Sequence, residues 1–175
     1  MHTIIKFDAG ILECTQREWR EFLDRQMGVI PASDYEGSLL KAEQFVQKKS
    51  SPYEFIYSVP KDQDSCVADL ILTVMYAAPN RHDANDAWLK LLDVRPAPWY
   101  NSGVEYDATR LPEVLPEVIV EVLSLTYETH PSSRLKIYGH EPMGREFLQA
   151  MAGTLRKISA LSISAHGNWL VIDKK

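Results

Sequence analysis

The stretch Val67 to Tyr76, VADLILTVMY, limits most tightly what this chain can fold into. It is nearly continuous apolar and rich in β-branched residues, where a strand with one wet face would alternate apolar and polar side chains. Such a segment suits a central strand covered on both faces. The apolar run continues only to Ala78, about half the length needed to cross a bilayer, and it contains Asp69. No membrane span or membrane partner is expected.

A central strand needs a chain long enough to cover it. At 175 residues, a single domain over 1–175 buries roughly 70% of its unfolded surface. Hydrophobic residues at 45% and charged residues at 25% are ordinary for a globular protein, so disorder is not expected. Lys plus Arg count 19 against 24 for Asp plus Glu, and a net charge of −5 repels polyphosphate. No basic run exceeds the pairs Lys48-Lys49 and Lys174-Lys175. No nucleic-acid partner is therefore expected. Cys14 and Cys66 have neither CxxC spacing nor a recognisable secretory leader, which points to buried thiols in a reducing cytoplasm.

Around the central strand the remaining elements follow from pattern. Thr3 to Asp8 reads as a first strand. Thr15-Gln16-Arg17-Glu18 has the form of a capping box, with Trp19, Phe22, Leu23 and Met27 on one face of the following helix and Gly28 as its stop. Ser33-Asp34-Tyr35-Glu36 repeats the box ahead of a helix with Leu39, Leu40 and Val46 on its apolar face. Tyr53 to Val59 and Trp88 to Val94 flank the central strand as a meander, separated from it by turns at Lys61–Ser65 and Pro79–Asp86. Pro116 to Thr129 is the ambiguous element. Its β-branched residues favour a strand, but its length, a proline suited to a first helical turn, and the shared face of Leu115, Ile119, Val122 and Leu123 favour a helix. Arg134 to Tyr138 reads as a strand and Pro142 to Lys157 as a helix with Met143, Phe147, Leu148, Met151 and Leu155 inward. Strands around a His166-Gly167-Asn168 turn close the chain as a hairpin.

The order β-α-α-β-β-β-α-β-α-β-β resembles the GNAT acetyltransferase superfamily over nearly the whole chain. One local motif adds to the resemblance: Leu92-Asp93-Val94-Arg95-Pro96 is similar to the L-x-V-x-P end of that family's fourth strand. The resemblance implies an α+β (mixed α/β) fold with a mixed, mostly antiparallel sheet of about seven strands and about four helices. It also implies that the backbone around Leu92 and Val94 would pair with the pantetheine arm of acetyl-CoA or another acyl thioester. The family's glycine-rich pyrophosphate loop has no match in Ala97-Pro98-Trp99-Tyr100-Asn101-Ser102-Gly103-Val104-Glu105, where Gly103 stands alone. Two prolines lack the N–H such a cradle uses, and Glu105, Asp107 and Glu113 would repel a pyrophosphate. Arg95 and Arg110 remain as guanidinium clamps for phosphate.

Each candidate for chemistry has a structural alternative. Asp93, inside an apolar strand, could take a proton from an amine if burial raised its pKa; it could equally pair with Arg95 or Lys90 or face solvent. The same ambiguity covers Asp69. At the edge that borders acyl transfer in the family, Tyr138 or His140 could protonate a leaving thiolate, or Tyr138 could bury its ring in the sheet and His140 cap a turn. The family's catalytic tyrosine has no counterpart between Arg145 and Lys157. Trp99, Tyr100 and Tyr106 could wall a substrate pocket, form a lid packed on the core, or build a homodimer surface. His82, in Asn80-Arg81-His82-Asp83-Ala84-Asn85-Asp86, sits in a polar turn without defined ligand spacing, and no metal is expected.

Two functions follow. One is an N-acyltransferase moving an acyl group from a CoA-type thioester to an amine on a small molecule or protein. The alternative is a non-catalytic, GNAT-shaped ligand- or protein-binding module that no longer binds acetyl-CoA. L-x-V-x-P favours the first; the missing glycines and tyrosine favour the second.

Overall fold

The computed structural model of the chain describes residues 3–26, 30–62, 64–77, 87–101, 110–139, 148–149, 151–153, 155–156 and 160–174. In chain order these form strand β1 (Ile5–Lys6), helices α1 (Ala9–Arg25) and α2 (Ser33–Val46), and strands β2 (Glu54–Pro60), β3 (Ala68–Ala77) and β4 (Trp88–Pro96). A short 3-10 turn (Pro98–Asn101), helix α3 (Arg110–Leu125) and strands β5 (Arg134–Tyr138), β6 (Leu161–His166) and β7 (Trp169–Lys174) follow. The strands make a seven-stranded sheet in the order β1-β2-β3-β4-β5-β7-β6. β1 is antiparallel to β2, β5 is parallel to β4 and antiparallel to β7, and β7 is antiparallel to β6, so the sheet is mixed as expected. By contact the chain divides into two compact units, Met1–Thr73 with Val94–Glu121 and Val74–Asp93 with Val122–Lys175.

In the first unit, β3 meets the expectation of cover on both faces: Ala68 to Thr73 are all buried. Helix α1 begins six residues before the expected box. Asp8 is its N-cap, and the Asp8 carboxylate accepts from the Ile11 N–H at 2.9 Å. Thr15 lies inside the helix, fully buried, and its hydroxyl accepts from the Ala68 N–H at 3.0 Å. One turn later the Trp19 indole N–H donates to the Ala68 carbonyl at 3.0 Å. The Thr-x-x-Glu pattern therefore anchors α1 to the start of β3 instead of capping it, and Glu18 accepts from Lys61 Nζ at 3.3 Å.

Trp19, Phe22 and Leu23 face inward as their spacing requires, while Met27 and Gly28 lie outside the described residues. The second box also fails as a cap: Ala32 occupies the N-cap position of α2 without a side-chain hydrogen bond. Tyr35, Leu39 and Ala42 form the buried side, and Leu40, expected inward, is 54% exposed. Cys14 and Cys66 correct the thiol reading, being joined in a disulfide with Cα atoms 5.8 Å apart across 52 residues. That bond removes the free-thiol argument for a reducing compartment.

Helix α3 is a helix as read, but it opens at Arg110, which puts Pro116 in its interior instead of its first turn. Its buried side includes Val118, Ile119, Val122 and Leu123, while Leu115 is half-buried.

In the second unit, register sorts the side chains of β4, β5 and β7 onto two faces. Leu89 and Leu91 pair with Leu135 and Ile137, which pair with Ile172 and Leu170, and all six are at most 4% exposed. Leu148, Met151 and Leu155, from the expected last helix, are also buried; Met143 and Phe147 lie outside the described residues. The terminal hairpin forms as read, closing at His166↔Trp169 with Gly167 at φ +59°, a conformation that favours glycine.

Candidate functional site

The end of β4 carries Leu92, Asp93, Val94 and Arg95, four of the residues that the sequence singles out. Its register with β5 runs from Trp88↔Arg134 to Leu91↔Ile137, and β4 continues through Leu92, Asp93, Val94 and Arg95 to Pro96. Leu92, Asp93, Val94 and Arg95 are all half-exposed, so the burial expected of Asp93 is only partial. Tyr138, the last residue of β5, faces Trp169 across the β5–β7 pair with ring centroids 4.8 Å apart. Its ring lies on the half-exposed side of the sheet, not in the core.

Arg95 stands out in this set. Its Nε is buried and has no hydrogen-bond partner among the described residues. A buried donor of a charged group left unmatched costs about 1–3 kcal/mol or more, which an anionic ligand at that nitrogen would recover.

Beyond Pro96 the chain does not form a phosphate cradle in residues 97–100. The Ala97 N–H donates to the Asp69 carbonyl at 2.8 Å, the Tyr100 N–H donates to the Ala97 carbonyl at 3.1 Å, and Pro98 has no N–H. Side chains reinforce the turn. Trp99 Nε1 donates to Asp69 Oδ1 at 2.8 Å, and the Tyr100 hydroxyl donates to Asp69 Oδ2 at 2.5 Å. Trp99 and Tyr100 are 1% and 3% exposed. Trp99 packs edge-on against Trp19 and Phe22 of α1, with centroids 6.4 and 5.9 Å apart. Of the three readings offered for the aromatics, Trp99 and Tyr100 fit the one packed on the core, because a buried carboxylate on β3 draws both of their polar atoms inward. That pairing also accounts for Asp69, whose place in an apolar strand had two readings.

Four expected residues lie outside the described ones: Gly103, Tyr106, His140 and His82. Arg110 opens α3, but its side chain is likewise outside the description. Among the described residues there is no group of three or more His, Cys, Asp or Glu side chains that could hold a metal ion.

A cluster missed from the sequence lies on the half-exposed face of β4, β5 and β7. Trp88 and Lys90 pair in register with Arg134 and Lys136, and Tyr138 pairs with Trp169, so all six side chains share one face. Lys136 Nζ stands 4.5 Å from the Trp88 ring centroid, and Lys90 Nζ stands 5.8 and 5.9 Å from those of Trp88 and Trp169. Arg134 pairs with Asp173. Burial, and then the charges of Arg134 and Lys90, push the Lys136 ammonium below the usual lysine range, with Asp173 opposing them. The signal was present as alternation, Trp88-Leu89-Lys90 and Arg134-Leu135-Lys136-Ile137-Tyr138. A search for contiguous basic runs passes over cations spaced two apart on separate strands.

No family model and no curated protein matches the chain. Among solved structures, it is similar to a KacTA–DNA complex at 9% identity and a TM-score of 0.45, over 98% of this chain and 92% of that one. It is also similar to AtaT complexed with acetyl-methionyl-tRNAfMet, at 12% identity and a TM-score of 0.46 over 79% and 82% of the two chains. A transcriptional regulator from Bacillus halodurans C-125 gives 11% and 0.47 over 95% and 100%. The first of these structures is a complex with DNA, whereas no nucleic-acid partner was expected for this chain from its net charge, and net charge alone does not carry that exclusion. A total of −5 averages over the whole surface, whereas a phosphate backbone meets only one face of it. In its order of elements and in its mixed seven-stranded sheet, the chain resembles the GNAT acetyltransferases.

Proposed function

We propose that this chain is an N-acyltransferase that takes an acyl group from a CoA-type thioester held at the end of β4 and passes it to an amine. The observation that carries this reading is the buried, unmatched Nε of Arg95 in Leu92-Asp93-Val94-Arg95-Pro96, a cationic donor that an anionic group of such a thioester would satisfy. The fit is divided: Arg95 suits the phosphates, and residues 97–100 do not. The thioester supplies an activated acyl group when bound. The backbone of Leu92 and Val94 lines its arm, Asp93 takes the proton the amine loses, and the Tyr138 hydroxyl gives one to the departing sulfur. His140 is a second acid for that step, and Gly103 and Arg110 are further contacts for the phosphates.

Isothermal titration of the purified chain with acetyl-CoA tests this. Binding is expected, and Arg95→Ala should weaken it about 10- to 150-fold, the loss of a charge-assisted hydrogen bond worth about 1.5–3 kcal/mol. The internal use of the Ala97 and Tyr100 amides favours the second reading, a GNAT-shaped binding module without acyl-CoA. Absence of heat with both acetyl-CoA and free CoA would establish that reading in place of the first.

A further inference from the structure

The half-exposed face of β4, β5 and β7 places three cations and three aromatic rings together in an acidic chain. On it Lys90, Arg134 and Lys136 are opposed by one carboxylate, Asp173, which already pairs with Arg134. Among the described residues neither Lys90 nor Lys136 has a carboxylate within ion-pair distance, although the chain as a whole carries −5. Like charges placed together repel, and here the ammonium groups stand over Trp88 and Trp169 in cation–π contact. The negative faces of the rings offset part of that repulsion and keep the ammonium groups on this face. Among the described residues the Nε1 of Trp88 is buried and without a hydrogen-bond partner.

We infer that this face binds a segment of single-stranded nucleic acid, with Lys90 and Lys136 meeting its phosphates and the Tyr138–Trp169 ring pair stacking its bases. Charge complementarity alone would suit any polyanion. The rings decide between them, since flat apolar surfaces interleaved with cations on a sheet suit bases joined by phosphates, and an acidic peptide has no use for stacking platforms. Side chains on alternate positions of paired strands form a two-dimensional array, so neighbouring nucleotides meet a ring and a cation in turn. This inference is independent of acyl transfer, because none of its residues is needed to hold or move an acyl group except Tyr138, which is left unaltered in the test.

The experiment is fluorescence anisotropy of a short labelled oligouridylate titrated with the full chain at several salt concentrations. Binding is expected to weaken with salt, with a slope of about −0.7 per phosphate contacted. The pair Lys90→Ala and Lys136→Ala should flatten that slope by about 1.4. Trp169→Ala should weaken binding about 5- to 150-fold, and Trp169→Phe, which keeps a ring, should retain most of it. A competition arm needs no variant: unlabelled oligouridylate should displace the probe far better than inorganic polyphosphate or polyglutamate of equal charge. Four outcomes would overturn the inference. These are failure of the unmodified chain to bind, equal competition by polyphosphate, stronger competition by polyglutamate, and full binding by both the lysine pair and Trp169→Ala in variants that melt like the parent.

Discussion

The indole of Trp99 donates to Asp69 Oδ1 across 2.8 Å, tying the turn after β4 to the start of β3. The other oxygen of the same carboxylate accepts the Tyr100 hydroxyl, so one buried acid anchors two consecutive aromatics. Asp69→Ala leaves both donors without this acceptor and should destabilise the chain by about 2–6 kcal/mol, since each buried unmatched donor costs about 1–3 kcal/mol. Asp69→Asn should cost less, because its amide can accept from Trp99 and donate to the Tyr100 oxygen. Urea unfolding of the two variants measures this, and an alanine variant as stable as the parent would refute the anchoring role.

Thr15 and Asp8 separate two roles that one motif suggests. Thr15→Val keeps the shape but removes the acceptor for the buried Ala68 N–H, for an expected loss of about 1–3 kcal/mol with helix content preserved. Asp8→Ala removes the actual cap of α1 and should cost about 1 kcal/mol. Circular dichroism through a denaturant series distinguishes them; fraying of the helix start in Thr15→Val would return the capping role to Thr15.

The Cys14–Cys66 bond closes a loop across 52 residues. By the loop-entropy relation it contributes about 4 kcal/mol, so reduction should lower the urea midpoint markedly. Thiol titration of the denatured, unreduced chain should find no free sulfhydryl, and recovery of two would mean that the bond does not form in solution.

Tyr57 gives the fold an alkaline limit. Burial pushes its phenol up to about 12 from an ordinary value of 10.0, because the ionised ring is poorly solvated inside the protein. Above pH 10 the unfolded chain loses this proton and the folded chain keeps it, so stability is intact below pH 10 and falls between pH 10 and 12. The loss should approach about 3 kcal/mol, at about 1.4 kcal/mol per pH unit over that window. Tyr57→Phe should flatten this part of the stability curve, which thermal melts across the alkaline range would record.

Much of the fold was legible because hydrophobic period is a local property. The continuous run at β3, the 3.6 spacing of Trp19, Phe22 and Leu23, and the Gly167 turn each depend on residues close in sequence. The helical reading of α3 held for the same reason: Ile119, Val122 and Leu123 share a buried face only in a helix. Capping motifs were less reliable, because Thr15 and Ser33 satisfy the pattern while their surroundings decide which backbone group each hydroxyl reaches.

Of the candidate site, the strand Leu92-Asp93-Val94-Arg95-Pro96 was visible and its environment was not. A residue type says that Arg95 can bind an anion; only packing leaves its Nε buried and unmatched. The core placement of Trp99 and Tyr100 has the same origin, since it depends on Asp69, 30 residues earlier in the chain.

By itself the sequence determined the alternation of strands and helices, the central place of β3 and the composition that lets the chain fold, because these follow from hydrophobic period and chain length. Tertiary structure decided which polar atoms meet. It joined Cys14 to Cys66, set Thr15 against Ala68, and turned Trp99 and Tyr100 onto Asp69. It also gathered Lys90, Arg134 and Lys136 on one face of the sheet. Hydrogen bonds and charges act over a few ångströms in space, and strand pairing brings together residues that lie tens of positions apart in the chain.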